Sequence, residues 1–139
     1  MRFDHIAIAC RDVEALRGWY ESVLGFQVRA RKSPSRPDAP ATTYLAGPPG
    51  EPAALELMPF DGKEASGREP FTRGISHLAL SVDSFTAWEK KLNAGGVRWL
   101  GPAVEAVGGG KLRSFCDPEG NMLQIVERPR ESPEGSHSS

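Results

Sequence analysis

The chain has 139 residues, enough to bury one hydrophobic core without disulfides or a structural metal. Seventeen Lys and Arg against eighteen Asp and Glu leave a formal charge of −1, with no basic block to track phosphates, which argues against a nucleic-acid partner. No apolar run approaches the ~20 residues of a membrane helix and the sequence opens on a strand pattern, so a cytoplasmic protein with no membrane partner is expected.

The first predicted strand covers 3–10. A helix follows over 12–24, with apolar residues at 13, 16, 19, 20, 23 and 24, Asp12 suited to the N-cap and Gly25 to a left-handed C-cap. Strands are then expected at 26–32, 41–46 and 53–59, separated by Pro- and Gly-rich loops at 33–40 and 47–50. After a connecting segment, 61–73, the pattern resumes: strand 75–82, helix 84–94 closing on Gly95-Gly96, and strands 97–101, 111–116 and 121–127. The glycines at 108–110 read as a loop, and Asp117-Pro118-Glu119-Gly120 as a turn between the last two strands. Residues 129–139 are polar and aperiodic, the composition of a flexible tail. Cys10 and Cys116 fall in predicted strands without metal-type spacing and read as buried free thiols.

This order of elements occurs twice. His5-Ile6-Ala7-Ile8-Ala9 matches His77-Leu78-Ala79-Leu80-Ser81 at an offset of 72 residues; Trp19 matches Trp88 at 69, and Leu55-Glu56-Leu57 matches Leu123-Gln124-Ile125 at 68. The expectation is an α+β domain over 1–128 built from two tandem βαβββ modules, about 1–60 and 74–128.

Side chains alternate across a strand, so each repeated strand divides its residues between two faces. Ile6 and Ile8 oppose His5, Ala7 and Ala9; Leu78 and Leu80 oppose His77, Ala79 and Ser81. Leu55 and Leu57 oppose Glu56 and Met58, and Leu123 and Ile125 oppose Met122, Gln124 and Val126. The aliphatic face suits a covering helix. The other face is small and polar at its centre and would leave a void against another sheet, so a mixed sheet curved into a cup, with helices on its outer face, is expected. His5, Glu56, His77 and Gln124 supply nitrogen and oxygen donors suited to one divalent ion, Zn, Ni, Co, Mn or Fe(II). Their single carboxylate leaves a net positive charge able to polarise a carbonyl or stabilise an enolate. Glu127 falls on the opposite face from Gln124.

Four stretches carry a family pattern: His5-x-Ala7-Ile8-x-x-x-Asp12-Val13; Trp19-Tyr20-x-x-Val23-Leu24-Gly25-Phe26; Ile75-Ser76-His77-Leu78-Ala79-Leu80-Ser81-Val82-Asp83; and Phe115-x-Asp117-Pro118-Glu119-Gly120-Asn121. Over about residues 3–128 the chain resembles the vicinal-oxygen-chelate superfamily, which includes glyoxalase I, fosfomycin resistance proteins, extradiol dioxygenases, methylmalonyl-CoA epimerase and bleomycin resistance proteins. The resemblance implies metal positions at His5, Glu56, His77 and Gln124 and a homodimer. It also implies a glyoxalase-like lyase or isomerase acting on a small carbonyl substrate by metal-assisted enolisation.

Bacterial glyoxalase I has Glu where this chain has Gln124. A carboxamide cannot accept a proton at ordinary pH, so Glu56 becomes the catalytic base. Ala9 and Phe60 stand where glyoxalase I grips glutathione with Arg and Asn, while Arg73 matches a glutathione-contacting Arg of some members. Phe60, Arg73, Met58, Met122, Lys111 and Arg113 are the expected substrate-binding positions, the last two for an anionic group. Methylmalonyl-CoA epimerase resembles this donor set with Gln and Glu exchanged between halves, making an acyl-thioester or acid epimerase the first alternative. A metal-free, ligand-sequestering protein of the bleomycin-resistance kind is the second. A dioxygenase would need a carboxylate where Gln124 stands.

Overall fold

The computed structural model describes residues 1–34, 37–48, 53–64, 67 and 69–130. The expected tail therefore lies almost wholly outside the described residues, as do parts of the loops at 33–40 and 47–50 and of the 61–73 segment. The chain divides into two compact units, Met1–Arg68 with Asp117–Gly120, and Glu69–Cys116 with Asn121–Ser139.

The first unit runs β1 (Ile6–Cys10), α1 (Val13–Leu24), β2 (Gln27–Lys32), β3 (Thr42–Ala46), β4 (Ala54–Pro59). Its sheet has the order β1-β4-β3-β2, with β1 parallel to β4 and the other pairs antiparallel. Asp12 caps α1, its Oδ1 accepting from Ala15 N–H at 3.0 Å, and Gly25 at φ 78° ends it in the left-handed conformation. Val13, Leu16, Tyr20 and Leu24 form the buried stripe of α1, which packs on β3 and β4 against Leu45, Leu55 and Leu57. A bulge between Val28 and Ala30 shifts the register of β2. Arg31 thereby comes opposite Thr43 and reaches Glu14 on α1.

The Asp117–Gly120 turn belongs with this first unit. Its Glu119 carboxylate accepts from the backbone N–H groups of Arg11 (2.7 Å) and Asp12 (3.0 Å), just ahead of α1. Asp117, 4% exposed, accepts from the buried Tyr20 hydroxyl at 2.8 Å. Burial pushes the Tyr20 hydroxyl pKa up, and the Asp117 carboxylate adds to the shift. The sequence identified this segment as a turn, which it is, with Gly120 N–H donating to Asp117 O.

The second unit runs β5 (Leu78–Ser81), α2 (Phe85–Ala94), β6 (Arg98–Trp99), β7 (Val104–Glu105), β8 (Lys111–Cys116), β9 (Met122–Glu127). Its sheet is β5-β9-β8-β6, with β7 also paired to β8 and β5 parallel to β9. Ser84 caps α2 through Ala87 N–H. The left-handed residue after α2 is Gly96 (φ 70°), while Gly95 stays right-handed (φ −76°). The strand expected over 97–101 is present in shortened form as β6, and a second short edge strand, β7, not expected from the sequence, follows it. Pro102, which has no N–H to donate, lies between them. Cys10 and Cys116 are buried and unbridged, as expected. Each unit thus combines a helix with a mixed sheet, the expected α+β class.

Candidate functional site

In each unit a parallel strand pair fixes the repeated positions. Ala7 of β1 lies opposite Glu56 of β4, and Ala79 of β5 lies opposite Gln124 of β9. His5 and His77 each precede these alanines by two residues, one step before the strand begins. On the antiparallel side, Tyr44 of β3 faces Glu56 and Ser114 of β8 faces Gln124. The internal repeat seen in the sequence is therefore also a repeat of register.

Within the first unit the structure brings His5 and Glu56 together. His5 Nε2 lies 2.9 Å from Glu56 Oε2, Nδ1 lies 2.8 Å from Asp4 Oδ2, and the Tyr44 ring stands edge-on at 6.1 Å. The hydrogen bond to Asp4 and the charges of Glu56 and Asp4 raise the imidazole pKa, against the opposing effect of desolvation. Both side chains are partly open, His5 at 37% and Glu56 at 31%.

In the second unit His77 is exposed, with Nδ1 2.9 Å from Ser76 Oγ. Each histidine thus has its Nδ1 beside the side chain of the residue before it, Asp4 or Ser76, and keeps Nε2 for another partner. Sequence reading missed this pairing, although the adjacency of a polar residue to each histidine was its signal. Gln124 is 9% exposed and donates through Nε2 to Ser114 Oγ at 3.1 Å.

These residues fit a divalent ion by donor chemistry. Two ligand bonds of roughly 2.1 Å meeting near a right angle separate their donors by about 3 Å, which is the His5–Glu56 spacing. A carboxylate at the far ring nitrogen, as Asp4 provides, is a common support of a ligating histidine. Among the described residues no group of three His, Cys, Asp or Glu side chains is arranged to hold a metal ion; the expected set contains a carboxamide and draws two residues from each unit.

The remaining expected substrate positions fall in both units. Met58 is 39% exposed on the Glu56 face of β4, and Met122 is half-buried at the start of β9. Phe60 lies past the end of β4, its N–H donating to Cys10 O at 3.1 Å, and Arg73 is exposed before β5. Lys111 and Arg113 alternate away from Gln124 onto the α2 side, where Lys111 Nζ sits 4.6 Å from the Phe85 ring centroid and Arg113 pairs with Glu89 at 2.8 Å. Arg113 also donates to Gly101 O and stacks 4.0 Å above Trp99, so it braces the sheet edge. Glu127 is on the same side, accepting from Phe85 N–H at 3.0 Å; β9 is unbulged, and its opposition to Gln124 is as expected.

The fold and sequence have known counterparts. The uncharacterized protein YwkD of Bacillus subtilis (strain 168) is 27% identical over 125 residues, 89% of this chain and 94% of that protein. The glyoxalase family protein from Enterococcus faecalis is 26% identical with a TM-score of 0.74, covering 91% of this chain and 97% of that one. A mutant of the fosfomycin resistance protein FosX from Listeria monocytogenes, solved with Mn(II) and 1S,2S-dihydroxypropylphosphonic acid, shares the fold at 16% identity and a TM-score of 0.65, covering 94% of this chain and 92% of that one. A family model matches residues 2–125, and with the repeated register this identifies the chain as a member of the Glyoxalase/Bleomycin resistance protein/Dioxygenase superfamily.

Proposed function

We propose that the chain is a divalent-metal-dependent lyase or isomerase that enolises a small carbonyl substrate. His5, Glu56, His77 and Gln124 are its ligands and Glu56 its base. The observation that carries this reading is the His5–Glu56 pair: two donor atoms 2.9 Å apart, with Asp4 holding the other ring nitrogen. The equivalent register of Gln124 extends it to the second unit. The Listeria neighbour supports it to the extent that the same fold accommodates Mn(II).

A bound Zn, Ni, Co, Mn or Fe(II) ion would polarise vicinal oxygens of the substrate and offset the charge that develops on enolisation. Glu56 removes the proton from the carbon next to the carbonyl and returns it to the adjacent carbon. Oε2 faces His5, which leaves Oε1 for the transfer. Gln124 holds the substrate-side geometry without competing for the proton. Ala7 and Ala9 are exposed on the Glu56 face and leave space there, and Met58 offers an apolar contact. A cytoplasmic homodimer belongs to the same reading.

A metal-free ligand-binding module is the second reading, favoured by one observation: His5 and Glu56 already partner each other without an ion. Metal content and thermal stability of untagged protein separate the two. Stoichiometric metal and a rise in Tm on adding Mn(II), Co(II) or Zn(II) are expected for the enzyme. Absence of both would favour the binding module.

A further inference from the structure

A carboxamide differs from a carboxylate in having a wrong end. Only its carbonyl oxygen can ligate a cation; its NH2 group is a pair of donors. Gln124 therefore needs an orientation that Glu56, with two equivalent oxygens, does not. Ser114 lies directly across the β8–β9 ladder from it and accepts from Nε2 at 3.1 Å. This is the one hydrogen bond that the Gln124 side chain makes among the described residues, and it engages the NH2 end of the amide. In the first unit the same register position is Tyr44, whose ring stands edge-on to His5. An amide-orienting hydroxyl thus occurs in the unit whose expected ligand has a wrong end.

Resting on the metal reading above, we propose that Ser114 is a positioning residue that presents the Gln124 carbonyl oxygen to a divalent cation. Without the hydroxyl the amide is free to rotate about its last bond and to offer NH2 instead, and affinity falls. A carboxylate in the same place has no such failure, so the effect of Ser114 depends on residue 124 being an amide.

The test is a double-mutant cycle read by Co(II) titration, following Co(II) absorption and calorimetric Kd on the full chain. Ser114→Ala is expected to weaken Co(II) binding by about 10–100-fold, the usual range for loss of a residue that orients a ligand. In the Gln124→Glu background the same substitution is expected to change Kd by less than about 3-fold. Should Ser114→Ala fail to fold, Ser114→Thr against Ser114→Val makes the same comparison, hydroxyl kept against hydroxyl lost at equal volume. Wild-type affinity in Ser114→Ala would overturn the positioning role, and so would an equal loss in both backgrounds, which a merely structural residue would give. Failure of the wild-type chain to bind Co(II) would overturn the metal reading itself, and this proposal with it.

Discussion

Glu56 is asked to serve both as ligand and as base, so its two roles should separate on substitution. Glu56→Gln is expected to lower turnover of a carbonyl substrate by at least the ~10²–10⁴-fold typical of a lost general base, while some Co(II) binding survives through the amide oxygen. Retained turnover would remove Glu56 from the chemistry. Tyr20 illustrates a residue of the opposite kind, remote from that chemistry. Its hydroxyl donates to Asp117, which is 4% exposed. Tyr20→Phe takes one donor from a buried carboxylate and is expected to cost about 1–3 kcal/mol in urea unfolding, with Co(II) affinity unchanged. The His5 position and the Glu56 face could be read from sequence because strand alternation assigns faces residue by residue. The destination of Lys111 and Arg113 could not: both are long cations on a strand, and only the neighbouring Phe85, Glu89 and Trp99 of the fold decide which side they serve.

Among the elements, both helices were legible from their caps and apolar spacing, since Asp12, Ser84 and the following glycines are local signals. The β2 bulge was not, because Val28 and Ala30 alternate with polar neighbours as an unbulged strand would, while the register slips between them. The short edge strand β7 was not legible, since Val104–Glu105 is only two residues long and lies just past Pro102. Glycine substitutions measure how firmly two turns are fixed. At Gly110, φ 104°, an added Cβ would overlap the Glu127 carbonyl oxygen, whereas at Gly96, φ 70°, nothing lies within 4 Å. Gly110→Ala is therefore expected to destabilise by about 3 kcal/mol or more, combining steric overlap with strain. Gly96→Ala should cost only the left-handed penalty of about 1–2 kcal/mol. Equal shifts in Tm would contradict this ordering.

For the whole molecule, stability should fall under alkaline conditions. The Cys10 thiol is pushed from 9.0 up to about 12, first by burial and then by the Glu119, Asp117 and Asp12 carboxylates. The folded state holds that proton more tightly than the unfolded chain. The contribution is complete below pH 9 and is lost as pH rises from 9 toward 12. Urea midpoints should decline above about pH 9, and less steeply in Cys10→Ala; identical slopes would exclude the thiol. At this scale the repeat made the fold legible, since two halves with one hydrophobic pattern must form the same unit twice. The Asp117–Gly120 turn escaped that logic: its sequence specifies a turn, while its membership of the first unit depends on Tyr20, Arg11 and Asp12, about a hundred residues earlier.

The central claim is that both repeats contribute ligands to one kind of metal site, and Co(II) titration of His5→Ala and His77→Ala beside the wild-type chain tests it most directly. The wild type should bind Co(II) stoichiometrically and each single substitution should weaken binding strongly. Wild-type affinity in His77→Ala would contradict the claim, leaving the His5–Glu56 pair as an ion pair or a site of the first unit alone.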